Sequence, residues 1–279
     1  MRKDKTTKML MLLSTLVFLS LEVANAQNLP KVQEASVRAP SDIKVDGKLT
    51  EWGGVLQAYN PTNRIFYTIS NDDQKLYLTV HTNDHQAVNK ITSGGITLTI
   101  NQSNQKNNNE KAKDINNIAV LYPIKVKRQP GDLAMEGIDD AIWKSYSTYK
   151  LDTSFYKKEI DSLMNMANNE ILLKYKMIQV TGIPENTENP LSIYNLLGIQ
   201  AASSFDHKMA FTYELAIPLK YLKASIQDPN LSYNIKISDH NSLLSPGEMP
   251  MPTFIDISDP NILYSQSTTD FWGEYTIAP

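Results

Sequence analysis

Hydrophobic positions recur with a two-residue period through most of this chain. Between Arg64 and Ser70, Ile65, Tyr67 and Ile69 share one face, and between Lys75 and Thr82, Leu76, Leu78 and Val80 do the same. Strands send successive side chains to opposite faces, so each run predicts a half-buried strand, and Asn71-Asp72-Asp73-Gln74 between them predicts the turn of an antiparallel hairpin. Ile43-Lys44-Val45 predicts a short first strand that stops at Asp46-Gly47, a dipeptide suited to positive φ. A fourth strand is expected over 95–101, with Ile96, Leu98 and Ile100 inward after a flexible Ser93-Gly94-Gly95. Strand character resumes at Ile118 to Val126, Ile171 to Val180 and Leu196 to Ala202. The last of these faces Met209 to Ile217 across 203–208; Phe211, Tyr213, Leu215 and Ile217 form one face, and Pro218 closes the ladder because it has no N–H to donate. Leu231 to Ser238 and Phe271 to Ala278 complete the set.

Two stretches break the pattern. Asn101 to Asn117 is Asn-, Gln- and Lys-rich, with almost nothing apolar to offset the entropy of ordering, and predicts an exposed loop. Tyr156, Ile160, Leu163, Met164 and Ala167 instead follow helical spacing with one apolar face. The sum is an all-β fold, an antiparallel β-sandwich with an inserted helix and long polar loops.

The N-terminus changes the picture. Arg2, Lys3, Lys5 and Lys8 precede an apolar run from Met9 to Leu21, which ends at Ala24-Asn25-Ala26. This is the layout of a signal peptide cleaved after Ala26, in preference to an uncleaved anchor, and it predicts a secreted or periplasmic product with no membrane insertion after cleavage. The expected organisation is therefore 1–26 signal peptide, 27–41 polar lead and 42–279 a single domain. Cysteine is absent, which rules out disulfides, thiol chemistry and a lipid-modified cysteine anchor. Of 27 basic and 30 acidic residues, four and two lie in the leader, leaving 23 against 28 and a net charge of −5. That mild acidity argues against nucleic acid as a partner, and no polybasic stripe addresses an anionic membrane.

Three motifs carry a resemblance. They are Ile43-Lys44-Val45-Asp46-Gly47-Lys48-Leu49-Thr50-Glu51-Trp52, Tyr213-Glu214-Leu215-Ala216-Ile217-Pro218-Leu219, and Asp270-Phe271-Trp272-Gly273-Glu274-Tyr275. In this order they resemble the family 9 carbohydrate-binding modules and their broader DOMON-like relatives, from about Asp42 to the C-terminus. The resemblance implies a secreted β-sandwich that attaches to a polysaccharide or oligosaccharide, often beside a glycosidase domain and often with structural calcium. No glycosidase domain accompanies it in this chain.

The candidate carbohydrate-binding residues are Trp143, Tyr146 and Tyr149, whose i, i+3, i+6 spacing in a segment without strand period would expose an aromatic strip; an indole offers a flat apolar face to a pyranose. Packing beneath the inserted helix is the alternative. Trp52 and Trp272 sit within the motifs and are expected in the core. His81, Asp84 and His85 suggest a metal by composition, but read as exposed histidines in a loop. Asn71, Asp72 and Asp73, like Asp139-Asp140, carry oxygen ligands suited to calcium, and equally suit a turn or solvent. No cofactor is expected beyond such structural calcium. A haem-binding variant would need Met and His axial ligands, for which no local signature exists.

No nucleophile elbow, zinc-protease helix or phosphate loop is present in the sequence. The expectation is an exported, non-catalytic binding protein for carbohydrate. A structural or protein-interaction sandwich of the cell envelope is second, and a glycoside-processing enzyme acting through two remote carboxylates is third.

Overall fold

The computed structural model describes residues 29–101, 117–124, 157–222, 229–239 and 260–279. Residues 31–279 make up one compact unit, and its frame is two antiparallel sheets packed as a β-sandwich. The first sheet contains β1 (Ala58–Asn60), β2 (Ile65–Asn71), β3 (Lys75–Thr82), β8 (Gln200–Phe205) and β9 (Phe211–Pro218), in the order β1-β2-β3-β9-β8. The second contains β4 (Ile96–Asn101), β5 (Asn117–Tyr122), β6 (Met177–Thr181), β7 (Leu191–Ser192), β10 (Asn230–Ile237) and β11 (Thr269–Thr276), in the order β11-β10-β4-β5-β6-β7. Among the described residues, three α-helices connect or flank the strands: α1 (His85–Gly94), α2 (Lys157–Lys174) and α3 (Pro260–Ser265).

The alternating residues do what their period dictates. Ile65, Tyr67 and Ile69, Leu78 and Val80, and Phe211, Tyr213, Leu215 and Ile217 are all fully buried, facing an equally buried set from β4, β5 and β10. Each large apolar side chain removed from water contributes roughly 1.5–3 kcal/mol, so this interior drives the layering. Several of its members are tyrosines, and burying a hydroxyl is costly unless it is paired; among the described residues the Tyr213 hydroxyl has no partner, whereas others do. The Tyr67 and Tyr233 hydroxyls meet at 3.0 Å across the two sheets, and the backbone N–H of Gln33 donates to Tyr67 Oη at 2.9 Å. Gly273 on β11 is where it is because a Cβ there would lie 2.3 Å from the Tyr233 ring.

Segments outside the strands complete the sheet edges. β1 lasts only three residues, and beyond it the Gln33 carboxamide takes the place of a neighbouring strand, donating to Ile69 O at 2.8 Å and accepting from Ile69 N at 2.7 Å. Asn71 continues that edge by donating its N–H to Val37 O at 3.2 Å and accepting from Ala39 N at 2.8 Å. On the opposite edge, Asn168 of α2 donates to Phe205 O at 2.9 Å and accepts from Phe205 N at 2.7 Å, docking the helix on β8.

The hairpin β2–β3, the strands from Ile96 and Ile118, and the Pro218 stop stand as the periodicity predicts. Other boundaries move. Residues 43–45 form no strand, because the donors of the following turn go to a side chain instead of a ladder, as described below. Residues 85–94 are a helix and not a flexible loop: Asp84 Oδ1 caps it by accepting from Ala87 N at 2.9 Å, and Ala87, Val88 and Ile91 turn inward. The inserted helix runs on through Lys174, so the following strand begins at Met177 instead of Ile171, with Ile171 buried as a helical residue. Leu196 is fully exposed, and β8 begins only at Gln200. The β8–β9 connection is 206–210 and not 203–208, since Asp206 Oδ1 accepts from Lys208 N at 2.8 Å and Ala210 N at 2.9 Å. The Asn-rich segment lies outside the described residues, apart from its two ends, where Asn101 pairs with Asn117.

Replacing Tyr67 by Phe would strand both the Gln33 N–H and the Tyr233 hydroxyl in the interior. It is expected to lower the unfolding free energy by about 1–3 kcal/mol in urea titrations, and a loss below about 0.5 kcal/mol would show that the phenol pair does not join the sheets.

Candidate functional site

The outward face of the five-stranded sheet carries two cavities in which aromatic, basic and titratable side chains gather. The first is a cleft of about 440 Å³ built around the β1–β2 turn. Asn60 Oδ1 accepts from Thr62 N at 3.1 Å and Asn63 N at 3.0 Å, which curls the chain, and the buried Asn63 amide then donates to Ile235 O of the other sheet at 3.0 Å. The next residue, Arg64, is left at φ 54, a left-handed conformation that costs a side-chain-bearing residue of order 1 kcal/mol. Its guanidinium is positioned by three groups. Nη1 donates to Asp84 Oδ2 at 3.3 Å and Asn261 Oδ1 at 3.0 Å, and Cζ stands 4.0 Å from the centre of the Tyr264 ring. Tyr264 is itself fixed by donating its hydroxyl to Asn63 O at 2.9 Å.

Tyr59 and Phe66 lie beside the guanidinium. They are direct cross-strand partners on the outward face, with ring centres 4.7 Å apart and planes inclined by 44°. Both rings are half-buried, so each keeps a face toward the cleft. Asn83 and Gln86 add carboxamides at the rim. Asp84 spends Oδ1 on the helix cap and Oδ2 on Arg64, so the two charges cancel inside the cleft. Behind Tyr264 stands Lys90, which is buried, donates to Thr269 Oγ1 at 2.8 Å, and is pushed down to about 8 by that burial against the opposing charge of Asp239. The arrangement offers an apolar platform flanked by fixed N–H donors, with no net charge.

The second cavity, about 560 Å³, opens between the turn at Gly47, the helix α2 and the β8–β9 turn, and is lined in part by Lys48, His81, Met164, Asp206 and His207. One wall depends on Glu214, which is buried on the outward face of β9. Its Oε2 accepts from the N–H groups of Asp46 and Gly47, both at 2.9 Å, and Ser204 Oγ donates to Gly47 O at 2.6 Å. These bonds explain why 43–45 joins no sheet. Gly47, at φ 77, has space only for hydrogen, since a Cβ would fall 2.6 Å from the Ser203 backbone. Burial pushes the Glu214 carboxyl up to about 7, against the two N–H donors that favour its charge; the charges of Asp46 and Glu51 raise it further. Among the described residues, Glu214 Oε1 and Trp52 Nε1 are buried without a hydrogen-bond partner. His81 Nδ1 shares a hydrogen with Thr212 Oγ1 at 3.0 Å, and burial lowers the pKa of the ring, with Asp206 opposing.

The residues singled out by sequence fare unevenly. Trp143, Tyr146 and Tyr149 lie outside the described residues, as does Asp139-Asp140. Trp52 and Trp272 are half-buried, which corrects the expectation of full core burial: Trp52 sits in a 3-10 turn and Trp272 on the edge strand β11. His81, Asp84 and His85 do not converge, for His81 lines the second cavity while Asp84 and His85 line the first, and His85 opens a helix instead of lying in a loop. Asp72 acts as a turn residue: Oδ1 accepts from Gln74 N and Lys75 N, both at 2.7 Å, and Oδ2 accepts the Tyr77 hydroxyl at 2.7 Å. Asn71 holds the C-terminus, donating to Ala278 O at 3.1 Å, and Asp73 pairs with Arg38 at 2.8 Å. No group of three or more His, Asp or Glu side chains among the described residues is placed to hold a metal. No described helix is long and apolar enough to cross a membrane. Sequence reasoning missed Tyr59, Arg64 and Phe66; the available signal was a pair of aromatics flanking Asn60-Pro61-Thr62-Asn63, a turn that brings them opposite one another.

No protein-family model matches the chain, and neither does any curated protein or solved structure.

The Glu214 wall is sensitive to pH. The folded chain keeps this proton up to about pH 7, whereas an unperturbed carboxyl releases it at 4.5, so the folded state binds more protons in that interval and loses stability as pH rises through it. Denaturant titrations are expected to show the unfolding free energy falling by up to about 3 kcal/mol between about pH 5 and pH 8, with Glu214→Gln flattening the fall. Equal slopes in the two proteins would remove Glu214 as the responsible group.

Proposed function

We propose that this chain is an exported, non-catalytic binding protein whose ligand is carbohydrate, held at the Tyr59–Phe66 cleft by ring stacking and by hydrogen bonds from Arg64 and the rim carboxamides. The observation that carries the reading is the pair of half-buried rings beside a guanidinium that Asp84, Asn261 and Tyr264 hold in place. A sugar ring has an apolar C–H face and a periphery of hydroxyls, and a platform next to fixed donors matches both. Preorganisation matters because ordering a free arginine on binding would cost affinity. The leader-like N-terminus and the β-sandwich support export and an extracytoplasmic binding role. The sequence motifs that resemble carbohydrate-binding modules support the ligand class.

A protein-interaction role is the second reading, and one observation favours it. Leu172 and Leu173 at the end of α2 and Tyr194 and Leu196 after β7 are all exposed, and the bond from Ile193 N to Lys176 O brings the two segments together. Exposed large apolar side chains on two adjoining segments suit a protein contact.

A glycan array followed by calorimetry separates the two. The wild-type chain is expected to bind at least one glycan and return it unhydrolysed, and Tyr59→Ala or Phe66→Ala is expected to weaken binding about tenfold or more, or about 1.4 kcal/mol. If no glycan binds, while Leu173→Asp releases a co-purifying protein, the second reading takes its place.

A further inference from the structure

We infer that the two cavities are the ends of one groove running across the strands of the five-stranded sheet, and that the ligand is accordingly an oligosaccharide chain of several units and not a single sugar. This rests on the carbohydrate reading above and adds the ligand's length and direction to it.

The register carries the inference. Tyr59 is opposite Phe66, Phe66 opposite His81, His81 opposite Thr212, and Thr212 opposite Ser204. Residues directly opposite one another point to the same face of a sheet, so these five side chains form one transverse row, one from each strand. The first two line the Tyr59–Phe66 cleft and the last three line the cavity beside α2. With strands about 4.8 Å apart, the row extends over roughly 19 Å, too long for one sugar ring and suited to a chain lying at right angles to the strands.

The chemistry along the row varies as a chain would require. One end stacks, through Tyr59 and Phe66. In the middle, His81 commits Nδ1 to Thr212, its one hydrogen bond among the described residues, and Nε2 is the ring atom that would meet a ligand. The far end offers polar groups on Lys48 and His207, over an apolar floor that includes Met164. The two turns that border the row also share a signature. Arg64 and Met209, at φ 54 and φ 56, are the two residues other than glycine with left-handed backbone among the described residues; Arg64 immediately precedes β2 and Met209 lies two residues before β9, strands that each present part of the row. Strain of this type is retained where it places a side chain or shapes a rim.

The test is calorimetry with cello-, xylo-, manno- and malto-oligosaccharide ladders running from one to about six units. For the ladder that binds, affinity is expected to rise at least tenfold with chain length and then level off once the row is filled. Tyr59→Ala at one end and Lys48→Ala or His207→Ala at the other, all at partly or largely exposed positions that leave the core intact, are each expected to weaken the longest chain about tenfold, while the shortest bound sugar responds to changes at one end only. Equal affinity for a monosaccharide and the longest chain would overturn the inference. So would long-chain binding that depends on Tyr59 but ignores both far-end substitutions; in either case the carbohydrate reading stands. Failure of every ladder and of the glycan array would instead bring down the carbohydrate reading itself.

Discussion

A strand cannot choose where its side chains go: alternate residues face opposite sides, and each side must be either covered or wet. In this protein the inner side of the five-stranded sheet is covered by the second sheet, and the outer side is divided. Toward one end, Thr68, Ser70, Thr79 and Glu214 are buried on the outer face although they are polar. For two of them the preceding segment brings backbone groups to meet the side chain: Thr68 Oγ1 accepts from Gln57 N, and Glu214 accepts from Asp46 and Gly47, whereas Ser70 Oγ is buried without a hydrogen-bond partner among the described residues. Toward the other end the covering thins: Tyr59, Phe66, His81 and Ser204 of the transverse row are half-buried, while Thr212 between the last two is buried. The division of that one face accounts for the stability problem and the site together.

Glu214 illustrates the coupling between them. A carboxyl in the interior is costly, and removing it by mutation to an apolar residue would free the turn that walls the second cavity. The Asp46-Gly47 pair reads in the sequence as an ordinary hairpin turn, and its conformation is as expected. The partner is a carboxylate well over a hundred residues away. Motifs that look merely structural when taken separately are, in the folded chain, the two halves of one wall.

This also defines what was legible. Period-two runs such as Ile65-Tyr67-Ile69 and Phe211 to Ile217 announce themselves, because burial of one face imposes the pattern along a single segment. The Pro218 stop is equally local. The helix α1 was obscured because its apolar stripe is only Ala87, Val88 and Ile91, and because its cap, Asp84, is adjacent to histidines that suggest a metal. The aromatic cleft was hidden for a different reason. β1 is three residues long, too short to show a period, and Tyr59 acquires meaning only when paired with Phe66. The transverse row needs four successive registers to be known, and register is set by tertiary pairing that no single stretch of sequence contains.

Two carboxamides, those of Gln33 and Asn168, each hold both backbone groups of one residue, Ile69 and Phe205, at opposite margins of the five-stranded sheet, taking up its N–H and its C=O. A margin left bare would present those groups to the strands of other copies and invite stacking into fibres. With these two positions already taken by side chains, a second molecule that approaches in line finds its ladder interrupted on both sides. A chain without disulfides thereby gains protection against self-association from two uncharged side chains, one of which, Asn168, also lines the second cavity.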